Sequence, residues 1–460
     1  LNRSVYIRPV ISGEGKTMIT LATDTDSSGY TLECLSTGES ISDRYDPAVG
    51  NLPLANPGAT TAAFLRTRYK KRVIDVDGPE AGLYRFRDWL PLRRELSGSS
   101  APVTYKSTAL AGRLGAENLW ITFSGYWPER NVRMVTGTFK ECEAYSVYGR
   151  MPEQMDSTLV VASAGNTARA FLQVASENNL PLVVVVPEEN LPGLWTVGPR
   201  SASTIVIAAS DGADYTDAID LASIVTEIPG FVPEGGARNV ARRDGMATTM
   251  LSAAWEIGRT PDHYFQAVGS GTGAIAAWEA NLRLIADGRF GSHKTTLHLA
   301  QNAPFLLLVD SWKRQSRELV PLDVNDAKRH VADISAKVLA NRKPPYSPVG
   351  GVFDALNDCS GRMYGIENDT ATRMANVFRE SEGIDITAAA AIACGALEEA
   401  IDTGAVDKND TIMLNITGGG VERALRELPI EYVVPDIVAA KEMWNRTAMA
   451  DALSSPAKRR

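Results

Sequence analysis

Ala267-Val268-Gly269-Ser270-Gly271-Thr272-Gly273-Ala274 lies between a short apolar run at 265–268 and an amphipathic stretch at 275–285. A buried strand, a glycine turn and a helix in that order make one unit of a parallel α/β sheet. Glycines let the backbone approach a ligand closely, and the free N–H groups at a helix start favour a phosphate. Three readings of this loop stay open: a phosphate site, a plain tight turn, and a dinucleotide fingerprint with Gly269, Gly271 and Ala274 as G-x-G-x-x-A. The dinucleotide reading calls for an acidic residue about twenty positions on, at the end of a strand. Asp287, in Ala286-Asp287-Gly288, reads instead as the end of a helix.

The same rhythm extends in both directions. Strands are expected at 159–164, 182–186, 204–209, 305–309 and 412–416, with a helix at 167–176. Continuous apolar runs of this kind suit parallel strands covered on both faces, joined by right-handed helical crossovers. Glycine turns follow strand ends at Gly165, at Gly269 to Gly273 and at Gly418 to Gly420. Ligands of open α/β sheets bind at the carboxyl ends of the strands, so these loops are expected to converge on one small-molecule site. Before residue 100 the pattern is irregular: strand-like pieces at 4–10 and 30–35 alternate with Gly, Ser and Asp turns, and 97–100 reads as a loop. There is no internal repeat.

Three further segments carry chemistry. Ser163-Ala164-Gly165-Asn166-Thr167 follows a strand and opens a helix. Its N–H groups suit a carboxylate and Asn166 suits a phenolic oxygen, although an ordinary strand-to-helix turn explains it equally. Thr136-Gly137-Thr138-Phe139-Lys140-Glu141 places a lysine among small and apolar residues. Most lysines are solvated, but a buried one loses its proton readily and can attack a carbonyl. Asn415-Ile416-Thr417-Gly418-Gly419-Gly420 is a tight turn in which Thr417 can donate a hydrogen bond to a neutral ring nitrogen.

Composition removes whole classes of function. The chain's 460 residues carry 47 Lys and Arg against 55 Asp and Glu, a net charge of −8, so a nucleic-acid partner is not expected. No apolar run reaches the roughly 18 residues of a membrane span and no leader is visible, so a cytoplasmic protein is expected. Cys34, Cys142, Cys359 and Cys394 are scattered, which suits a reducing compartment. His263, His293, His298 and His330 form no ligand pattern, and no metal is expected. The tail Ala457-Lys458-Arg459-Arg460 reads as a solvated end.

Taken in order, the segments resemble the threonine synthase group of fold type II pyridoxal-phosphate enzymes. That group runs from G-[ST]-F-K through S-x-G-N-T and a glycine-rich phosphate loop to a terminal T-G-x-G. Here these are Gly137 to Lys140, Ser163 to Thr167, Gly269 to Gly273 and Thr417 to Gly420, with Gly82-Leu83-Tyr84-Arg85-Phe86-Arg87-Asp88-Trp89-Leu90-Pro91 resembling the family's lead-in. Phe123-Ser124-Gly125-Tyr126-Trp127-Pro128-Glu129, Pro233-Glu234-Gly235-Gly236-Ala237-Arg238-Asn239-Val240-Ala241-Arg242-Arg243 and the stretch from Pro261 to Gly273 are very similar to the cysteate synthases of methanogenic archaea. Two departures from threonine synthase point the same way. The usual F-K-D-R-G is Phe139-Lys140-Glu141-Cys142-Glu143, and the usual N-P-T is Arg133-Met134-Val135.

The resemblance implies a tryptophan synthase β-like α/β fold with two open parallel-sheet subdomains. We divide the chain into an irregular N-terminal region at 1–100, a larger cofactor-binding subdomain at 101–149 and 263–450, and a smaller one at 150–262. It implies that Lys140 carries pyridoxal 5'-phosphate and acts as the base. Asn166 would contact the ring hydroxyl, Thr417 the ring nitrogen, and Gly269, Ser270, Gly271, Thr272 and Gly273 the cofactor phosphate. Ser163, Ala164 and Thr167 would hold the substrate carboxylate. The implied reaction joins O-phospho-L-serine and sulfite into L-cysteate and phosphate, on a route to coenzyme M. Threonine synthesis from O-phosphohomoserine and cysteine synthesis with sulfide are the alternatives, and a nicotinamide dehydrogenase or a non-catalytic amino-acid binder are rivals of other classes. A homo-oligomer is expected from relatives. Two anionic substrates require a local cationic pocket, for which Lys106, Arg113, Arg133, Arg169, Arg238, Arg242 and Arg243 are candidates.

Overall fold

The computed structural model describes residues 9–11, 17–19, 29–46, 52–153 and 156–454. The tail at 457–460 and most of the strand-like piece at 4–10 lie outside the described residues; only Pro9–Ile11 of that region is described as a strand.

Two parallel sheets form the body. The smaller has the order Phe231–Pro233, Thr158–Ala162, Leu182–Pro187, Thr204–Ala209, Ile437–Ala439, every pair parallel. Its central strand reads Leu-Val-Val-Val-Val-Pro and is buried throughout. Leu182, Val184 and Val186 share one core with Phe171 and Val174, while Val183 and Val185 share another with Leu221 and Val225. The unbroken apolar run thus reflects a helix on each face: Asn166–Glu177 on one and Tyr215–Thr226 on the other. Each such valine contributes roughly 1.5–3 kcal/mol of burial.

The larger sheet has the order Arg362–Ile366, Thr296–Asn302, His263–Ala267, Ile412–Ile416, Leu119–Phe123, Val103–Lys106, with only the last pair antiparallel. Helices Lys140–Arg150, Val240–Ile257 and Thr272–Asp287 pack against one another beside it, and Ala388–Asp402 packs against its strands. Gly245 lets the first two helices approach closely, because a Cβ there would run into the carbonyl of Cys142. An antiparallel sheet of Ser40–Ile41, Tyr30–Cys34 and Leu65–Tyr69 covers this layer; Thr67 and Tyr69 hydrogen-bond to Asp244.

The structure departs from the expected layout in three places. No strand forms at 305–309: the strand is Thr296–Asn302, Pro304 cannot donate to a ladder, and Leu307–Lys313 is a helix. Val240–Ile257 packs with the larger layer although the sequence division placed it in the smaller one. Ile437–Ala439 was assigned to the larger unit, but it pairs with Thr204–Ala209 in the smaller sheet. Helix Arg446–Ser454 follows it there, seating Met449 and Leu453 in the core of Leu221 and Val225.

No helix among the described residues is long and apolar enough to cross a membrane. The described residues hold no group of three or more His, Cys, Asp or Glu suited to a metal ion, and all four cysteines are free and buried.

Candidate active site

The lysine turn and the C-terminal glycine turn are stitched together by their backbones. Phe139 N–H donates to the Thr417 carbonyl at 3.0 Å, and Gly419 N–H donates to the Gly137 carbonyl at 3.1 Å. Gly137 has φ +68, and a Cβ there would come within 2.6 Å of Val421. Beneath the turn, buried Glu141 accepts from both the N–H (2.6 Å) and the hydroxyl (2.7 Å) of Thr136. Lys140 therefore leaves a braced turn as the first residue of its helix.

Its amine is 4.9 Å from the centre of the Phe139 ring and 3.3 Å from Glu143 Oε2. Burial pulls the Lys140 pKa down; the Glu143 carboxylate opposes that pull and Arg242 adds to it. The side chain keeps 21% of its surface exposed, so the amine is desolvated yet reachable. A lysine in this condition can serve as nucleophile and base.

Around it opens a cavity of about 460 Å³. Lys140, Ser163, Ala164, Asn166, Thr167, Gly269, Ser270, Gly271, Thr272, Gly273 and Thr417 all border it. The loops lie at the carboxyl ends of Thr158–Ala162, His263–Ala267 and Ile412–Ile416, as the switch-point rule expects. In the asparagine loop, the Ser163 hydroxyl accepts from the Gly165 N–H at 2.9 Å and the Ala168 N–H at 3.0 Å, so its oxygen shapes the turn. Arg169 spans the Thr136 carbonyl, the Gly193 carbonyl and Asn166 Oδ1, the last at 3.2 Å. With Oδ1 taken, the Asn166 amide N–H₂ is the group left to offer a ligand.

These residues fit pyridoxal phosphate. The glycine cradle is built for close approach: Gly271 has φ +79, a Cβ on Gly269 would stand 3.0 Å from the Leu339 backbone, and one on Gly273 would stand 2.6 Å from Gln266. The cradle opens the 16-residue helix Thr272–Asp287, whose first N–H groups suit a phosphate. Ser270 and Thr272 add hydroxyls 2.8 Å apart. The Thr417 hydroxyl makes no hydrogen bond among the described residues, so it is open to a ring nitrogen.

Of the proposed cationic group, only Arg238 and Arg242 border the cavity. Arg113 pairs with Glu380 at 2.7 Å, Lys106 and Arg133 are exposed, and Arg243 is buried on Glu279 at 3.0 Å. Arg242 is not free either. It meets Glu143 through Nη2 at 2.7 Å and Nε at 3.1 Å, and Glu234 through Nη1 at 3.0 Å. Burial works against the Glu143 carboxylate, but Arg242 and Lys140 hold its pKa below the usual range. Sequence reasoning missed Glu143, the pairing of Glu234, and Tyr215 and Lys343, which also border the cavity. Only Glu143 had a usable signal, three residues beyond Lys140 on one helix face.

The cavity, the buried lysine and the two parallel sheets define a fold type II pyridoxal-phosphate enzyme. A profile described as pyridoxal-phosphate dependent enzyme matches residues 106–418, and the chain belongs to that family. More narrowly, the chain belongs with the cysteate synthases. The cysteate synthase of Methanocorpusculum labreanum is 47% identical over 399 residues, covering 86% of this chain and 94% of the relative. That of Methanosarcina acetivorans is 44% identical over 412 residues, covering 89% and 97%. Among solved structures, a fungal L-serine ammonia-lyase from Rhizomucor miehei has a TM-score of 0.53 at 12% identity, covering 71% of this chain and 99% of that one. Maize serine racemase has a TM-score of 0.51 at 14% identity, covering 69% and 88%. These last two share the fold.

Proposed function

We propose that this chain makes L-cysteate and phosphate from O-phospho-L-serine and sulfite, with pyridoxal 5'-phosphate as cofactor, in the cytoplasm and on a route to coenzyme M. The observation that carries the reading is the desolvated amine of Lys140 in one cavity with Asn166, the glycine cradle and Thr417. The substrates rest on the chain's place among relatives named cysteate synthase.

When bound, the cofactor supplies the electron sink that makes the α-proton acidic and the β-substituent expellable. The chain supplies the rest. Lys140 would hold the cofactor's aldehyde, and its neutral amine would take the α-proton and later return it to Cα. The N–H groups of Gly269, Ser270, Gly271, Thr272 and Gly273 hold the cofactor phosphate. Asn166 donates to the ring hydroxyl. Thr417 would offer the ring nitrogen a hydroxyl in place of a carboxylate, a surrounding that would favour β-replacement over transamination. Ala164 and Thr167 hold the substrate carboxylate on a turn that Ser163 shapes.

The test is the purified protein assayed with phosphoserine and with phosphohomoserine, each with and without sulfite, followed by mass spectrometry. Cysteate from phosphoserine and sulfite alone is the expected result. Threonine from phosphohomoserine, or cysteine from added sulfide at a comparable rate, would overturn it.

A further inference from the structure

Glu234 has one carboxyl oxygen that the described residues leave unpaired. Its Oε2 accepts from Arg242 Nη1 and from the Gly236 N–H, both at 3.0 Å, while Oε1 is buried with no hydrogen-bond partner among the described residues. The residue is 5% exposed and borders the cavity. A charged oxygen buried without a donor is costly; a protonated carboxyl avoids that cost and holds a donor for a ligand.

The neighbouring charges agree. Arg242 faces Glu234 from its own helix, Glu143 and Lys140 from helix Lys140–Arg150, and Tyr215 from helix Tyr215–Thr226. The one guanidinium already bears the Glu143 carboxylate, so a second full negative charge has no cation of its own. Burial pushes the Glu234 pKa up; Arg242 opposes the rise and Glu143 reinforces it.

Resting on the phosphoserine reaction proposed above, we propose that Glu234 is the acid that protonates the departing phosphate and the base that recovers a proton from incoming hydrogensulfite. The ester phosphate carries about two negative charges near neutral pH. When Lys140 takes the α-proton and the Cβ–O bond breaks, the electron pair stays on the bridging oxygen. Without a proton the product would be trianionic phosphate, a poor leaving group. The Glu234 carboxyl supplies that proton, giving hydrogenphosphate and a Glu234 carboxylate. The carboxylate then takes the proton of hydrogensulfite. The sulfite dianion forms the Cβ–S bond through its sulfur lone pair, and Lys140 returns its proton to Cα. Protons and charge balance with no oxidant or reductant.

Glu234→Gln keeps the shape and a hydrogen-bond donor but has no proton to transfer. The holoenzyme and the variant are assayed with phosphoserine and with β-chloro-L-alanine, whose chloride leaves without a proton. Sulfite is saturating, at a mildly alkaline pH where it is already the dianion and Glu234 recovers its proton from water, and rates are referred to bound cofactor by its visible absorbance. The expected result is a loss of about 100-fold in kcat on phosphoserine, a KM within a few-fold, and chloroalanine turnover at the wild-type rate. Equal losses on both substrates, or no loss on phosphoserine, overturn the proposal alone. A wild-type enzyme that makes no cysteate from phosphoserine, yet turns over chloroalanine, overturns the reaction reading and this proposal with it.

Discussion

Lys140 is held by little except its backbone. Among the described residues its amine has one polar contact, Glu143 at 3.3 Å, and Glu143 keeps Arg242 when the lysine is removed. Lys140→Ala is therefore expected to lower turnover by at least about 1,000-fold while leaving the melting temperature within a few degrees. Borohydride should fix the cofactor on residue 140 of the wild type and nowhere on the variant, as peptide mapping would show. Next to it, burial raises the Glu141 pKa to about 8, against the two hydrogen bonds from Thr136. The folded chain thus keeps a proton that the unfolded chain releases near 4.5. That contribution to stability is full below 4.5 and is lost as pH rises toward 8. Glu141→Gln removes it, so the stability of wild type relative to variant should decline across that window. A difference that stays constant with pH would refute the assignment.

Two glycines show how much the helix layer depends on contact distance. Gly245 backs onto the carbonyl of Cys142, so Gly245→Ala must push the lysine helix aside. A loss of about 1–3 kcal/mol is expected in urea unfolding, together with weaker cofactor binding. Gly112, inside helix Ala109–Leu114, has nothing within 4 Å of its missing Cβ, so alanine there should be neutral or stabilising by up to about 1 kcal/mol. The elements most legible in the sequence are those with mainly apolar, β-branched runs: Thr204–Ala209 and Ile412–Ile416, the latter broken only by Asn415, are read to the residue. Thr296–Asn302 is not, because His298, Gln301 and Asn302 are buried with polar partners and disguise it as a loop. In the site, the glycine, asparagine and lysine turns were legible because each is a local motif. The Arg242–Glu143 pair joins residues 99 apart, and no local pattern announces a contact of that span.

The two sheet units also meet through charge beside the cavity. Arg342 reaches Asp214 at 2.7 Å and Asp217 at 3.4 Å, Lys328 reaches Asp217 at 3.2 Å, and Lys343 reaches Asp220 at 3.2 Å. All three aspartates sit on or just before helix Tyr215–Thr226, which walls the cavity; Leu339 of the cationic segment packs on Gly269. Exposed pairs are weak, but Arg342 and Asp214 are only 10% and 15% exposed. Arg342→Gln should loosen helix Tyr215–Thr226 against the segment that carries Leu339, raising the phosphoserine KM about three- to tenfold with kcat within twofold. Steady-state kinetics at several salt concentrations would check this, and the variant should be the less salt-sensitive protein. The late return of Ile437–Ala439 to the smaller sheet has its own outcome. The sheet strands of the smaller unit come from two separate parts of the chain, 158–233 and 437–439, so it is not a contiguous cassette. Grafting residues 158–233 alone into a relative would leave Thr204–Ala209 an unguarded edge, open to pairing with a neighbouring molecule.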